Sequence, residues 1–122
     1  MTNIIIMVGD KAIGAIQSIK IEEKKTETTD GYYTNVTVTA ARIRFSKERI
    51  KEAFNKGMLH AATQVYPFDI VIMDNHLETA RLHNVWLMNT DYMYDATEWV
   101  IIDQAMMEAE EMIGSIDSSC PQ

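Results

Sequence analysis

The chain has 122 residues, with 18 acidic against 11 basic side chains, a formal net charge of −7, 47% hydrophobic and 24% charged residues. That length fits one domain with a real core, no apolar run approaches the length needed to span a bilayer, and the acidic balance argues against a surface that grips nucleic acid. An acidic chain is still compatible with a surface that nucleic acid passes, because like charge limits sticking.

In chain order, Asn3 to Val8 predicts a first strand, and Gly9-Asp10 a two-residue turn into a second strand over Lys11 to Lys24. In that second strand Ile13, Ala15, Ile19 and Ile21 share one parity while Lys20, Glu22 and Lys24 take the other, so one side is dry and the other wet. Asp30-Gly31 is a second turn signal, at the tip of a hairpin over about 22–35 whose flanks carry almost no aliphatic side chains. A hairpin without its own core is ordered by a neighbour or moves freely.

Val36 to Phe45 alternates as a strand, but its apolar phase changes midway. Val36, Val38 and Ala40 point one way, and Ala41, Ile43 and Phe45 the other. Either a bulge intervenes at Ala40-Ala41 or both faces are covered. Ser46 can cap a short α-helix over about 47–57, with Ile50, Ala53 and Phe54 on one face and Gly57 suited to the left-handed residue after its end. Pro67 then punctuates the start of a strand Phe68 to Met73.

After the loop Asp74-Asn75-His76, Glu78 to Asn89 reads as a strand with Ala80, Leu82, Trp86 and Met88 in one phase and Val85 and Leu87 in the other. Apolar residues on both faces imply cover on both sides, from the helix on one and another subunit on the other. From Thr97 to Ile113 two patterns compete. Trp99, Ile102, Met106, Ala109 and Ile113 make a helical stripe, whereas Trp99-Val100-Ile101-Ile102 is strongly β-forming. The fold class is mainly β, an antiparallel barrel or sandwich with one short flanking α-helix, over a single domain 1–116 followed by a polar tail 117–122.

Chemical motifs are sparse. His60, His76 and His83 match no zinc spacing, and Cys120, the lone cysteine, permits no internal disulfide and has no fixed base beside it. Ser18, Ser46 and Ser115 lack a nucleophile elbow, and the five glycines form no phosphate loop. Asp91, Asp95, Glu98, Asp103, Glu108, Glu110 and Glu111 read as solvated or channel-facing charge. Tyr32, Tyr33, Tyr92, Tyr94 and Trp86 lack the basic surroundings of a base-stacking platform, so core and interface roles are preferred. No catalysis, metal or cofactor is expected. Met1 to Val8 also lacks the basic start and longer apolar stretch of a signal peptide, which predicts assembly in the cytoplasm.

The order of strand, helix and Tyr66-Pro67-Phe68-Asp69 resembles the tail-tube proteins of contractile-tailed bacteriophages, which are related in fold to the tube protein of type VI secretion systems. Val8 to Ile19 looks like that family's opening hairpin, and Asn84 to Asn89 with Glu98 to Ile101 like its closing strand pair, so the likeness covers roughly residues 3–115. It implies a structural virion protein of the tail: homohexameric rings stacked into a conduit for DNA, with sheath and baseplate proteins as further partners and no membrane. It also implies a long strand over the ambiguous segment, which we assign as strand through at least Met107. The family's long loop reaches an adjoining ring, which assigns inter-ring contact to Glu22, Glu23, Lys24, Lys25, Thr26, Glu27, Asp30, Gly31, Tyr32 and Tyr33. Trp86, Trp99, Tyr92 and Tyr94 are assigned to the subunit interface. Alternatives are a tube initiator at the baseplate, a neck component, a secretion-tube ring, or, from another class, a small ligand-binding β-barrel.

Overall fold

Each turn signal in the first third of the chain becomes a chain reversal in the computed structural model, which describes residues 1–114. Strand β1 (Thr2–Val8) turns at Gly9-Asp10 into β2 (Lys11–Thr28), with Val8 opposite Lys11. Gly9 takes a φ of 62° there, which glycine adopts without steric cost. Strand β2 returns as β3 (Gly31–Ser46) across Thr29-Asp30, one residue ahead of the expected pair. The Thr28 hydroxyl fixes this tip, accepting the Asp30 amide at 3.3 Å and donating to the Gly31 carbonyl at 3.1 Å.

Three more strands follow: β4 (Phe68–Asp74), β5 (Leu77–Asp95) and β6 (Trp99–Gly114). Pro67 stands immediately before β4, as its missing N–H requires. The ambiguous segment is strand to its end, and the helical stripe goes unused. All neighbours are antiparallel, and the sheet closes in the order β1-β2-β3-β6-β5-β4. The tail 117–122, with Cys120, lies outside the described residues.

The α-helix expected over 47–57 does not form. Three 3-10 turns replace it, at Ile50–Glu52, Asn55–Gly57 and Ala61–Thr63. One helical bond survives, from the Phe54 amide to the Ile50 carbonyl at 2.9 Å. Phe54 is then extended, and both Lys56 (φ 58°) and Gly57 (φ 65°) are left-handed, so the ladder cannot continue. Ser46 does not cap with its side chain; its carbonyl accepts the Arg49 amide. The segment is a plug across the barrel mouth, and it buries Ile50, Ala53, Phe54 and Leu59. Apolar burial at about 25 cal/mol per Å² outweighs the few bonds that a short helix would add.

The phase change within β3 has a backbone cause. Val36, Val38 and Ala40 are buried, and so are Ile43 and Phe45, although the pairing with β2 and β6 keeps one register throughout. Arg42, at φ 55°, turns the strand over. Strand β5 changes phase at Asn84 (φ 53°), where its register with β6 holds but its pairing with β4 shifts by one residue between Phe68 and Ile70, so Ala80 and Leu82 share a core face with Val85 and Leu87. The expectation that such strands need cover on both sides is corrected here: most of the second phase is the first face, inverted. In β2, Ile16 joins Ile13 in the core, which departs from the parity expected there; this change falls at a bulge, where the pairing with β1 shifts between Ile6 and Met7.

Three rings lock the plug to the barrel. Phe45 meets Phe54 edge-on at 5.8 Å and Phe68 at 6.1 Å, and Phe54 lies 6.5 Å from Phe68. All three are fully buried, beside Ile6, Ile13, Ile43, Ile70, Leu82, Ile102 and Met107, which fill the interior. Gly14 lets β2 pass close to β3, since a Cβ there would lie 2.5 Å from the Arg44 carbonyl oxygen. Phe54→Ala should therefore cost about 3–5 kcal/mol of stability, read by denaturant unfolding. A loss below about 1 kcal/mol would mean that the plug contributes little to the core.

Candidate assembly surface

Strands β2, β3, β6 and β5 outrun the barrel that they help to close. Strand β1 pairs with β2 only from Lys11 to Ile16, and β4 pairs with β5 only from Leu77 to Val85. Beyond those points residues 17–28 of β2 and 86–95 of β5 have a strand partner on one side only, among the described residues. The four strands thus make one sheet with an unpaired stretch along each of its two opposite edges.

The first part of the β5 edge is covered by Gln64, which is buried at 8% exposure. Its Nε2 donates to the Val85 carbonyl at 3.0 Å and to the Tyr66 carbonyl at 3.1 Å, and its Oε1 accepts the Leu87 amide at 2.7 Å. One side chain stands in for a strand where β4 has not yet begun. From Met88 onward the edge has no such substitute among the described residues.

Exposed apolar side chains line β5 from Trp86 onward. Trp86 is 41% exposed, Met88 47%, Tyr92 71% and Tyr94 57%. Of the four residues assigned to a subunit interface, Trp86, Tyr92 and Tyr94 gather on β5. Trp99 sits apart on β6, half-buried beneath the Arg44 guanidinium, 4.7 Å from its ring centre. Tyr92 is also left-handed (φ 57°) and lies level with Arg42, Gln17 and Asp103, so one row of inversion crosses all four strands.

The hairpin assigned to inter-ring contact is a two-stranded ribbon. Strand β6 accompanies β3 only as far as Val36, opposite Ala109, and β2 and β3 then run on alone to the tip. Five residues at about 3.4 Å each project it roughly 17 Å beyond the third strand. Glu22, Glu23, Lys24, Lys25, Glu27, Asp30, Tyr32 and Tyr33 are exposed, while Thr26 and Gly31 are half-buried. The Lys25 ammonium sits 5.4 Å over the Tyr32 ring.

Where β1 parts from β2 a groove of about 460 Å³ opens, lined by Asn3, Gln17, Arg42, Arg44 and Ile101 among others. It reaches the bare edge of β2 at Gln17, and its other lining residues belong to paired parts of β1, β2, β3 and β6.

A charged cluster that the sequence did not reveal sits on β4 and β5. Asp69 accepts from Arg81 Nη1 at 2.7 Å and from the Asn84 amide at 3.1 Å, with His83 Nδ1 also 3.1 Å away. Arg81 grips Glu78 with two further bonds, at 2.9 and 3.0 Å. The Asn84 side-chain amide donates to Glu110 at 3.0 Å, so β4, β5 and β6 are tied at the level where β5 inverts. Partial burial opposes ionisation of Asp69, but Arg81, the Asn84 amide and His83 together outweigh it and hold the carboxyl below its ordinary 3.8. Glu78 is lowered chiefly by Arg81, and Arg81 is raised in turn by Glu78 and then Asp69.

The remaining polar residues do not converge. His60 accepts the Ala62 amide at 3.1 Å and starts a 3-10 turn, and Asp95 pairs with Lys47 at 2.6 Å. No three His, Cys, Asp or Glu side chains among the described residues are grouped to hold a metal ion. No helix among them is long and apolar enough to cross a membrane.

No family model matches the chain, and no curated protein matches it. Among solved structures it is similar to the tube-terminating cap of the anti-feeding prophage, at 14% identity and a TM-score of 0.39, covering 90% of this chain and 85% of that one. It is also similar to a chain of the PVC sheath-tube complex of an extracellular contractile injection system in its extended state. There the identity is 15% and the TM-score 0.39, over 90% of this chain and 86% of that one.

The Asp69 cluster yields a pH test. Because the folded carboxyl titrates below 3.8, its stabilisation is complete above that value and is lost as pH falls through the lowered one. Asp69→Asn should cost about 1–3 kcal/mol near neutral pH, and the gap in melting temperature from the parent should narrow as pH is taken below 3.8. A gap that stays constant from neutral pH into the acid range would show that the carboxylate charge is not what the cluster uses.

Proposed function

We propose that this chain is the structural subunit of a contractile-type tail or injection tube, in which copies join edge to edge into a ring and rings stack into a conduit. The observation that carries this is the pair of unpaired stretches on opposite edges of one four-stranded sheet. Bare N–H and C=O groups on two sides of a sheet are a template for strand addition in both directions. Joining the β5 edge of one copy to the β2 edge of the next is a head-to-tail contact, which closes into a ring when the rotation permits.

The exposure of Trp86, Met88, Tyr92 and Tyr94 along one edge supports the same reading, since aromatic and methionine side chains are enriched at protein interfaces. A barrel packed solid with Ile, Leu and Phe disfavours the alternative of a ligand-holding barrel. The motif order resembling tail-tube proteins supplies the ring size, six copies, and the further partners: sheath, baseplate, and DNA that passes through the lumen without specific binding. On this reading the protein belongs to the tail of an assembled particle, and it catalyses nothing.

Lysine on an exposed edge blocks strand addition without disturbing the strand's inner pairing. Met88→Lys together with Met93→Lys should convert rings to folded monomers, measured by size exclusion with light scattering, while the far-ultraviolet β signal is kept. A parent protein that stays monomeric at high concentration would overturn the proposal. Rings undiminished in the double variant would show that β5 is not the joining edge.

A further inference from the structure

Strands β2, β3, β6 and β5 alternate in direction, so β5 of one copy meets β2 of the next antiparallel, the sense in which every pair of this sheet already runs. Such a joint brings the C-terminal end of bare β5, at Asp95, to the start of bare β2, at Gln17. There the incoming strand is stopped. Strand β1 holds the β2 edge through Ile16, so the β5–β6 corner beyond Asp95 has to leave the plane of the sheet. Because β1 bends to the core side to close the barrel, the free side is the opposite face.

That face has a groove with cationic walls. The 460 Å³ groove at the fork between β1 and β2 continues into a second of about 330 Å³, the two sharing Ala15 and Arg44. Arg42, Arg44 and Arg49 line them, three of the four arginines in the chain, and no carboxylate does. Arg44 points away from the core, between buried Ile43 and Phe45, and stacks on Trp99. None of the three arginines forms an ion pair among the described residues, whereas the fourth, Arg81, holds Asp69 and Glu78. Asp103, Glu48 and the copy's own Glu98 lie in the same region, but none of them lines the groove or pairs with an arginine, and Lys11 with Glu52 is a neutral pair at 3.7 Å. On β2 the lining is Ala12, Gly14 and Ala15 along this stretch, so no long side chain stands between the arginines and the fork.

The corner that arrives has the opposite character. Residues 91–98 carry Asp91, Asp95 and Glu98 and no cation. Tyr94, next to Asp95, is 57% exposed. We propose that the fork where β1 leaves β2 is the receptor for the β5–β6 corner of the neighbouring copy, with Asp95 and Glu98 seated among Arg42, Arg44 and Arg49 and Tyr94 closing over Gln17. The occupant is a second copy of this chain because strand polarity delivers that corner to the fork and its charge matches the groove. Arginine suits the task, since its planar fork grips a carboxylate with two bonds. The inference rests on the joining of β5 to β2 proposed above and adds where that joint ends. An added strand can slip along a bare edge, and a stop at one end removes that freedom.

Two charge-reversed proteins test the docking, Arg42→Glu with Arg49→Glu in the groove, and Asp95→Lys with Glu98→Lys at the corner. Each should raise the concentration at which half of the protein is in rings by about tenfold or more, read by size exclusion with light scattering, while the melting temperature of the subunit holds. All four substitutions in one chain should restore the parental value. Lys47→Ser, which removes only the partner that Asp95 has within its own copy, should leave the rings as they are. Parental assembly by either reversed pair, no recovery in the fourfold variant, or an equal loss in Lys47→Ser would overturn the docking while the joining of β5 to β2 stands. A parent that forms no rings would overturn both.

Discussion

A strand can keep one face in a core only while its side chains alternate without interruption, and strands of 16 to 19 residues wrapped around a small barrel outlast that condition. The chain meets the constraint by turning its strands over. Arg42, Asn84 and Tyr92 take left-handed conformations; at Arg42 the register with both neighbours survives, whereas opposite Asn84 the pairing with β4 shifts by one residue. At Arg42 and Tyr92 this strain costs on the order of 1–2 kcal/mol each, since neither side chain is suited to positive φ. Coordinated inversion across β2, β3, β6 and β5 offsets that cost, because Ile16, Ile43 and Ile102 on one side of the row and Ala40, Ala105 and Met107 on the other all enter a single core.

Long strands have a second consequence. A closed barrel abolishes sheet edges, but here closure is complete only where β1 and β4 reach, and the four long strands run beyond them. Gln64 shows how the chain treats an edge meant to stay internal: a buried amide takes both backbone groups that a strand would have taken. The stretch from Met88 to Asp95 receives no such treatment and carries tyrosines and methionines instead. Contrast within one strand is therefore the argument for assembly, stronger than exposure alone.

Much of this was legible in the residues. Turns at Gly9-Asp10 and near Asp30-Gly31, the strand start after Pro67, and the extended reading of 99–102 follow from local chemistry, whereas strand through Met107 followed from the tail-tube resemblance against a competing helical stripe. The apolar phase changes in β3 and β5 were visible too, but their cause was not: Asn84 tolerates left-handed backbone, whereas nothing about Arg42 or Tyr92 announces it. Two covered faces and one inverted face leave the same pattern in a sequence. The plug misled for a related reason, since Ile50, Ala53 and Phe54 have helical spacing, and only the demand to bury Phe54 against Phe45 and Phe68 breaks the helix after one turn. Asp69 and Gln64 were illegible because their partners lie 12 to 23 residues away, and long-range pairs leave no local signature.

Lateral joining through β2 and β5, as proposed, would use backbone groups whose hydrogen bonds are directional and little affected by salt, so it suits a ring that must close with fixed geometry. The hairpin is different in kind: a ribbon of exposed charges and tyrosines without a core of its own, whose charges are screened over about 10 Å at ordinary ionic strength. Strand length links the fold to the proposed assembly, because the same long strands that turn over at Arg42 also carry β2 and β5 past the reach of β1 and β4 and so leave the two edges bare.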